Sequence, residues 1–275
     1  MNKISVFGGT GFIGGTFCNL YAEDVVLIPK KGRDFETKQV LYFISTTTNQ
    51  NVFNDLHIDI DTNLSLFVDV LKNCRDRDVV FNFISSGFVY GNDVIDAKET
   101  DCCNPTGFYS ITKRCAEQLL ISFCETFEVK YRILRIGNVY GLDKTVSLGK
   151  NVLGYMISLL KKNQDIKLYD GGKFLKDYIY VEDICRAIKV VLDQGDLNEI
   201  YNIASGTSLT FREIIETSKV LTSSKSKIID VSFPNNQRFI QVKNMTLNTK
   251  KLESFGFLCN VSFETGLQTL CTLIE

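Results

Sequence analysis

The sequence has little histidine, no paired cysteines and no surplus of basic residues. His57 is the only histidine, and none of the nine cysteines falls in a CxxC pair. We therefore predict no metal site, because zinc is usually held by clustered cysteine and histidine side chains. The 31 Lys and Arg residues are balanced by 32 Asp and Glu residues, for a formal net charge of -1. A nucleic-acid-binding protein is not expected, since such proteins use a basic surplus to neutralise phosphates.

Long hydrophobic runs are also missing. No stretch of about 18 apolar residues occurs, so we expect no membrane-spanning segment. The N-terminal sequence MNKISVFGG has no signal-peptide core, and cysteines such as Cys74 and Cys185 lie in apolar segments without paired spacing. Both features are typical of a protein in a reducing compartment, and we expect a cytoplasmic protein.

Strand-like and helix-like patterns alternate along the first half of the chain. The strand patterns cover residues 3–8, 24–29, 40–45, 78–86 and 130–141, and the helical patterns cover 12–21, 64–74 and 109–125. This alternation predicts an α/β fold with a Rossmann-like, doubly wound parallel sheet in residues 1–145. Residues 146–275 are predicted to form mainly a smaller C-terminal substrate-binding lobe, with some elements returning to the first domain.

The segment VFGGTGFIGG connects the first strand to the first helix. Glycines permit a tight turn and a close backbone approach to a pyrophosphate, which then faces the helix N-terminus. The sequence therefore predicts dinucleotide binding here, against the alternative of a structural turn. The predicted contacts lie between residues 8 and 14, at Gly8, Thr10, Gly11, Phe12, Ile13 and Gly14.

The end of the second strand bears on which dinucleotide is bound. An acidic residue there would hold the ribose hydroxyls of NAD, but Lys30 and Lys31 follow Pro29 instead. Basic groups suit a 2′-phosphate, so this local chemistry favours NADP over NAD. An ordinary solvated basic turn is the alternative, with Asp34 reaching the ribose.

Tyr109 and Lys113 form a YxxxK pattern on a predicted helix. Residues i and i+4 share a helix face, and a neighbouring ammonium favours tyrosinate and lowers the tyrosine pKa. The pair is a candidate acid/base, although a Tyr and a Lys can also share one exposed face by accident.

Taken together, these motifs resemble the extended short-chain dehydrogenase/reductase family, in its nucleotide-sugar epimerase and dehydratase branch. The resemblance covers nearly the whole chain. It rests on the glycine loop, the YxxxK pattern and four further segments, namely ISSGFVYG (84–91), LRIGNVYG (134–141), LKDYIYVEDICRAI (175–188) and IYNIASGTSLTFREI (200–214).

The resemblance implies a role for each matching residue. Tyr109 would be the acid/base, Lys113 would hold the nicotinamide ribose, and Ser86 would bind the reacting sugar oxygen. Ser85, at the same strand end, is a further candidate cofactor contact. Substrate-binding candidates are Ser86, Asn138, Lys176 and Arg238, with Lys176 standing where the family usually has Arg.

The same resemblance implies hydride transfer on a nucleoside-diphosphate sugar. The leading prediction is an NAD(P)-dependent epimerase that acts at sugar C4 through a 4-keto intermediate. The alternative is an NADPH-dependent 4-ketoreductase, and a non-catalytic NAD(P)-sensing protein ranks below both. A 4,6-dehydratase is not expected, because Gly87 and Phe88 stand where those enzymes carry Asp and Glu.

Two further expectations concern the shape of the molecule. Only ten residues (30–39) separate the second and third strand patterns, which is short for a crossover. The cofactor domain is thus predicted to be abbreviated on its adenine side, compared with the family it resembles. Relatives pair through helices like those predicted at 64–74 and 109–127, so a homodimer is expected.

Overall fold

The structure is a computed structural model that describes residues 3–142 and 152–274. The predicted domain boundary at residues 145 and 146 lies outside these described residues. Among the helices of the two ranges, none combines the length and the apolar character that crossing a bilayer requires.

The described residues form strands and helices that alternate along much of the chain. The strands are β1 Ile4–Phe7, β2 Val25–Leu27, β3 Gln39–Tyr42, β4 Val80–Ser86, β5 Val94–Ala97, β6 Lys130–Ile136, β7 Asn138–Tyr140, β8 Ile166–Tyr169, β9 Leu175–Tyr180, β10 Glu199–Ile203, β11 Ser208–Thr210, β12 Ile228–Val231 and β13 Met245–Leu247. The helices are α1 Phe12–Leu20, α2 Ile58–Ile60, α3 Leu66–Leu71, α4 Phe108–Phe127, α5 Val152–Lys161, α6 Val181–Gln194, α7 Phe211–Leu221, α8 Lys250–Glu253 and α9 Phe263–Leu273.

The main sheet has six strands in the order β10-β6-β4-β3-β1-β2. Every neighbouring pair in it is parallel. β4, with the sequence VFNFISS, lies at the centre and is almost entirely buried, as expected for an apolar run covered on both faces. The predicted Rossmann-like α/β sheet is confirmed.

The strand order reverses at β1. The chain passes from β1 to β2 on one side and then to β3 on the other side, so the switch point lies between the carboxyl ends of β1 and β3. Residues 28–38, which make this crossover, contain neither a helix nor a strand. β2 is therefore the edge of the sheet, and the crossover from β2 to β3 is as short as the sequence predicts.

Helices cover both faces of this sheet. One hydrophobic core contains Phe17 of α1, and Ile184 and Ile188 of α6. The other contains Phe67 of α3 and Leu120 of α4, packed against the aromatic side chains of β3 and β4. Since α4 lies directly against β4 and β6, residues near its N-terminus face the carboxyl edge of the sheet.

The second half of the chain forms smaller sheets and also contributes to the main one. β11, β9, β13 and β5 form a second sheet, in which β7 pairs with β9, while β8 pairs with β12. β10 instead pairs in parallel with β6 and completes the main sheet.

The helix predicted over residues 64–74 differs in the structure. It begins earlier, as α2, and continues through a π-helical turn at Asp61–Ser65 into α3, followed by a 3-10 turn at Lys72–Cys74. Within the π turn, Asn63 hydrogen-bonds Thr46 after β3 and Thr112 of α4. These tertiary hydrogen bonds compete with regular helix geometry. The hydrophobic periodicity of the sequence does not reveal them, because their partners are distant along the chain.

Candidate active site

The glycine loop between β1 and α1 has the geometry of an anion cradle. Gly8 has a φ of +79°, and a methyl group on Gly14 would overlap the Gly8 carbonyl oxygen. The N-terminus of α1 has neither a side-chain cap nor an acidic residue in its first turn. Its first backbone N–H groups are thus oriented to bind a negative group such as a pyrophosphate.

The remaining loop residues leave this cradle open. Thr10 and Gly11 are exposed, and Phe12 and Ile13 are half-buried. The N-terminus of α1 is thus open to solvent, as the predicted pyrophosphate contact requires.

The predicted adenosine side lies at the turn after β2. Lys30 and Lys31 are exposed there. Asp34, the alternative ribose ligand, instead accepts hydrogen bonds from Phe35 N at 2.9 Å and from Arg77 Nη2 at 3.1 Å. The acidic group nearest to the expected position is thus already engaged with protein donors.

Ser86 and Tyr109 meet at the carboxyl end of β4. Ser86 Oγ accepts a hydrogen bond from Phe88 N at 3.2 Å, which fixes the turn after the strand. Burial raises the pKa of Tyr109, a hydrogen bond with Ser86 lowers it, and the charge of Asp59 raises it further. The net direction is upward, so the lowering by Lys113 that the sequence suggested is not found.

The surroundings of Lys113 fix the position of its ammonium group. Its ammonium is buried, donates a hydrogen bond to the Ile84 carbonyl oxygen, and lies 4.3 Å from the centre of the Phe83 ring. Burial lowers the pKa of Lys113 to about 7, against the opposing charge of Glu117. The Lys113 ammonium is thus held at the end of β4. This strand lies next to β3, and its end is close to the switch point.

Glu117 is a residue that the sequence analysis did not identify. It is fully buried and accepts hydrogen bonds from Arg135 of β6, at 3.0 and 2.8 Å, and from Arg114 at 2.8 Å. Burial opposes its ionisation, but these hydrogen bonds lower its pKa overall. Its spacing of four residues after Lys113, on the same helix face, is the signal that was available.

The Ser85 hydroxyl has a partner within the protein. Its side chain is buried, and Ser85 Oγ donates to Glu117 Oε1 at 2.5 Å. The hydroxyl thus belongs to the Glu117–Arg135 ion pair, and a cofactor contact of Ser85 stays a prediction.

Phe88 connects the two halves of the candidate site. Its ring centre lies 6.4 Å from that of Tyr109 in an edge-to-face arrangement, and the Lys176 ammonium lies 5.2 Å from it. Lys176 Nζ also donates to the Val242 carbonyl at 2.6 Å, and burial lowers its pKa to about 7. The structure thereby links Tyr109 to Lys176 through one aromatic ring.

The other two substrate-binding candidates lie further along this side. Asn138 is half-buried at the start of β7, where its amide donates to the Asp177 carbonyl at 3.2 Å. Arg238 is exposed within the 3-10 segment Asn235–Ile240, four residues before Val242. That segment is close to Lys176 because of the Lys176–Val242 hydrogen bond.

Asp59 is a second residue that the sequence did not reveal. It is buried on α2 and accepts hydrogen bonds from Thr46 and from Asn51, the latter at 2.9 Å. Its negative charge acts on Tyr109. No local motif marks it, because the contact joins residues fifty positions apart.

Comparison with protein families identifies one match. The model of the "NAD dependent epimerase/dehydratase family" matches residues 33–204. This range includes the ends of β3, β4 and β6 and the Tyr109–Lys113 pair, while the glycine loop precedes it.

Two curated proteins illustrate the sequence similarity. The low-salt glycan biosynthesis protein Agl12 of Haloferax volcanii is 30% identical over 212 residues, covering 76% of this chain and 66% of its own length. A putative UDP-glucose 4-epimerase of Methanocaldococcus jannaschii is 26% identical over 298 residues, covering 96% of each chain.

Solved structures share the fold over the whole chain. A UDP-glucose 4-epimerase of Thermotoga maritima, in complex with UDP-glucose, has a TM-score of 0.86 at 21% identity and covers 98% of this chain and 97% of its own. A UDP-glucuronic acid 4-epimerase of Bacillus cereus, in complex with UDP-glucuronic acid and NAD, has a TM-score of 0.89 at 18% identity and covers 99% and 98%.

The glycine cradle makes a testable prediction about dinucleotide binding. Gly14→Ala places a methyl group against the Gly8 carbonyl, so we expect the loop to shift and NAD affinity to fall at least tenfold. Gly15→Ala is the matched control, because its methyl group would lie 3.5 Å from the nearest atom, an ordinary contact. Thermal shift with added NAD measures both variants. Equal ligand-induced shifts in the two variants would contradict the assignment of the cradle.

Proposed function

This chain belongs to the NAD dependent epimerase/dehydratase family, and we propose that it is an NAD(P)-dependent nucleoside-diphosphate-sugar epimerase acting at sugar C4. The observation that carries the proposal is the meeting of Ser86, Tyr109 and Lys113 at the sheet edge that also holds the glycine loop. Names of similar proteins point to UDP-sugars as the substrate class.

The protein residues act on the C4 hydroxyl group. The Ser86 hydroxyl orients the sugar oxygen, and Tyr109 in its ionised form accepts the proton of that oxygen as the C4–O bond becomes a carbonyl. Because burial raises the pKa of Tyr109, only the fraction of the protein in which Tyr109 is ionised can take this step. A bound nicotinamide dinucleotide would supply the redox chemistry, as acceptor and then donor of the hydride, which carries both electrons of the C4–H bond. If the 4-keto sugar turns its other face before this return, Tyr109 gives the proton back to the opposite epimer.

Lys113 and the second half of the site position the reactants. The Lys113 ammonium lies at the end of β4, where it would hold the nicotinamide ribose. Asn138, Lys176 and Arg238 would bind the substrate diphosphate, whose negative charge favours the protonated form of the partly desolvated Lys176. Close, aligned placement of both reactants is the main requirement for hydride transfer.

Phe88 supports an epimerase over a dehydratase. Loss of water across C5 and C6 needs an acid and a base beside the sugar, and the turn after Ser86 offers Gly87 and Phe88. Phe88 instead presents an apolar ring edge to Tyr109. The Phe88 ring can exclude water from this position, but it has no group that could donate or accept a proton.

A 4-ketoreductase is the second candidate. The observation that favours it is the basic turn at Lys30 and Lys31, which suits the 2′-phosphate of NADPH, the hydride donor such an enzyme consumes. A non-catalytic NAD(P)-sensing protein ranks below both, because Ser86, Tyr109 and Lys113 are all retained.

The epimerase is tested by following UDP-glucose by proton NMR without added NADPH. We expect conversion to its C4 epimer, and we expect Tyr109→Phe to lower kcat at least a hundredfold through loss of the acid/base, with NAD affinity unchanged. Tyr155→Phe, on the exposed face of α5, is the matched control and should retain full activity. Turnover of 4-keto sugars only, with NADPH consumed stoichiometrically, would favour the reductase.

The basic turn leads to a prediction about cofactor choice. We propose that Lys30 and Lys31 allow NADP to bind in addition to NAD. Replacing both by Ala should weaken NADP binding about tenfold, the effect of one lost charge contact of roughly 1.4 kcal/mol, and leave NAD affinity within twofold. The double variant Lys3→Ala/Lys130→Ala, at the opposite end of the sheet, removes two positive charges as well and is the control for net charge. Calorimetric titration gives the affinities, and equal losses for both cofactors would refute this role.

We further propose that the protein is a homodimer. Ile111 and Leu119 of α4 and Val68 of α3 are 49%, 40% and 44% exposed, on two helices that cover the same face of the sheet. Leu119→Lys should therefore halve the mass measured by light scattering. Leu258→Lys, at another exposed leucine, should leave that mass unchanged. A monomeric wild-type mass would rule out the dimer.

A cytoplasmic location is also proposed. All nine cysteines are free thiols, and burial raises the pKa of Cys74 to about 12 and that of Cys124 to about 12. Unpaired, buried thiols are typical of proteins in a reducing compartment.

A further inference from the structure

Asn49 connects three separate parts of the candidate site through one side-chain amide. It follows β3, begins the 3-10 turn Asn49–Phe53, and is only 6% exposed. Its Oδ1 accepts hydrogen bonds from Ser110 N and from Ser110 Oγ, both at 3.2 Å. Its Nδ2 donates to the carbonyl oxygens of Thr106 and Ile240, also both at 3.2 Å.

The first of these contacts caps the helix that bears Tyr109. α4 begins after Gly107, which has no side chain to cap it. Gly107 has a φ of +87°, and a Cβ atom there would lie 2.5 Å from the Asn49 amide. Asn49 thus occupies the space of a capping side chain and supplies the cap from another loop. Ser110, its partner, directly follows Tyr109.

The contact with Ile240 reaches the other end of the site. Ile240 is the last residue of the segment Asn235–Ile240, which carries Arg238. Two residues later, the Val242 carbonyl accepts the hydrogen bond from Lys176. The stretch from Ile240 to Val242, directly after Arg238, is therefore bonded to Asn49 at one end and to Lys176 at the other.

We propose that Asn49 is a positioning residue that couples binding of the substrate diphosphate by the Asn235–Ile240 segment to the placement of Tyr109. This inference rests on the proposed function, because the diphosphate role of Arg238 belongs to it. The planar amide holds its oxygen and nitrogen in a fixed relation, so a shift of the Ile240 carbonyl is passed to Ser110. Substrate that engages Arg238 then fixes the acid/base in its working position.

The variant Asn49→Asp distinguishes the proposed coupling through Ile240 from the capping of α4 at Ser110. The carboxylate keeps an acceptor for Ser110, but it loses both N–H donors and so the bond to Ile240. Asn54→Asp, at an exposed asparagine of the same loop, makes the same chemical change without these contacts. NAD affinity should stay within twofold in both variants, since neither residue touches the glycine loop.

The first test uses UDP as the probe and amide hydrogen exchange as the readout. In the wild-type protein and in Asn54→Asp, UDP binding should slow exchange at the start of α4 at least threefold. In Asn49→Asp, UDP should still bind, but the slowing should be absent. UDP binding to wild-type protein without protection of α4 would overturn the coupling alone. Failure of UDP to bind at all would overturn the proposed function together with this inference.

The second test is a double-mutant cycle on turnover. In the wild-type background, Arg238→Ala should raise KM and also lower kcat about tenfold. In the Asn49→Asp background, the same change should raise KM but leave kcat within twofold, because the link to Tyr109 is already cut. A merely structural role for Asn49 predicts that the two kcat losses multiply independently, and that result would refute the coupling.

Discussion

The buried ion pair between Glu117 and Arg135 is the interaction on which the placement of the site depends. It joins α4 to β6, while Ser85 adds β4 to the same carboxylate. Removing one partner of such a pair leaves an uncompensated charge in the interior, at a typical cost of about 3–5 kcal/mol. The pair therefore fixes both the rotation and the height of α4 relative to the sheet. Tyr109 and Lys113 lie on the same helix, eight and four residues before Glu117.

The fixed position of α4 places its side chains at the carboxyl ends of the strands of the main sheet. The parallel strands β1, β3 and β4 end side by side, and the reversal of strand order opens a crevice beyond them. Gly8 contributes backbone without a side chain at the first strand end. The Lys113 side chain lies at the end of β4, where its ammonium donates a hydrogen bond to the Ile84 carbonyl oxygen. The anion cradle and Lys113 thus lie at the same edge of the sheet, although a hundred residues separate them in sequence.

Much of the fold could be predicted because its signals are local. The glycine spacing, the apolar run of β4 and the YxxxK pattern each lie within a few residues, and each has a direct structural meaning. The remaining features depend on contacts between distant segments. Asn49 caps a helix that begins almost sixty residues later, and Asp59 acts on Tyr109 from another helix. The environment of Lys113 belongs to this second group too, since its depth of burial sets its pKa and its spacing from Tyr109 does not reveal that depth.

The edge of the main sheet is a possible site for the addition of another strand. Among the described residues β2 is the last strand on this side, and its residues Val26 and Leu27 are exposed. Such an edge is a template on which another chain can add a strand. Here the strand is only three residues long and is followed at once by Pro29, Lys30 and Lys31. A proline and two charges are the usual protection against edge-to-edge aggregation, so the lysines that suit a nucleotide phosphate are also of the kind that guards an exposed strand edge.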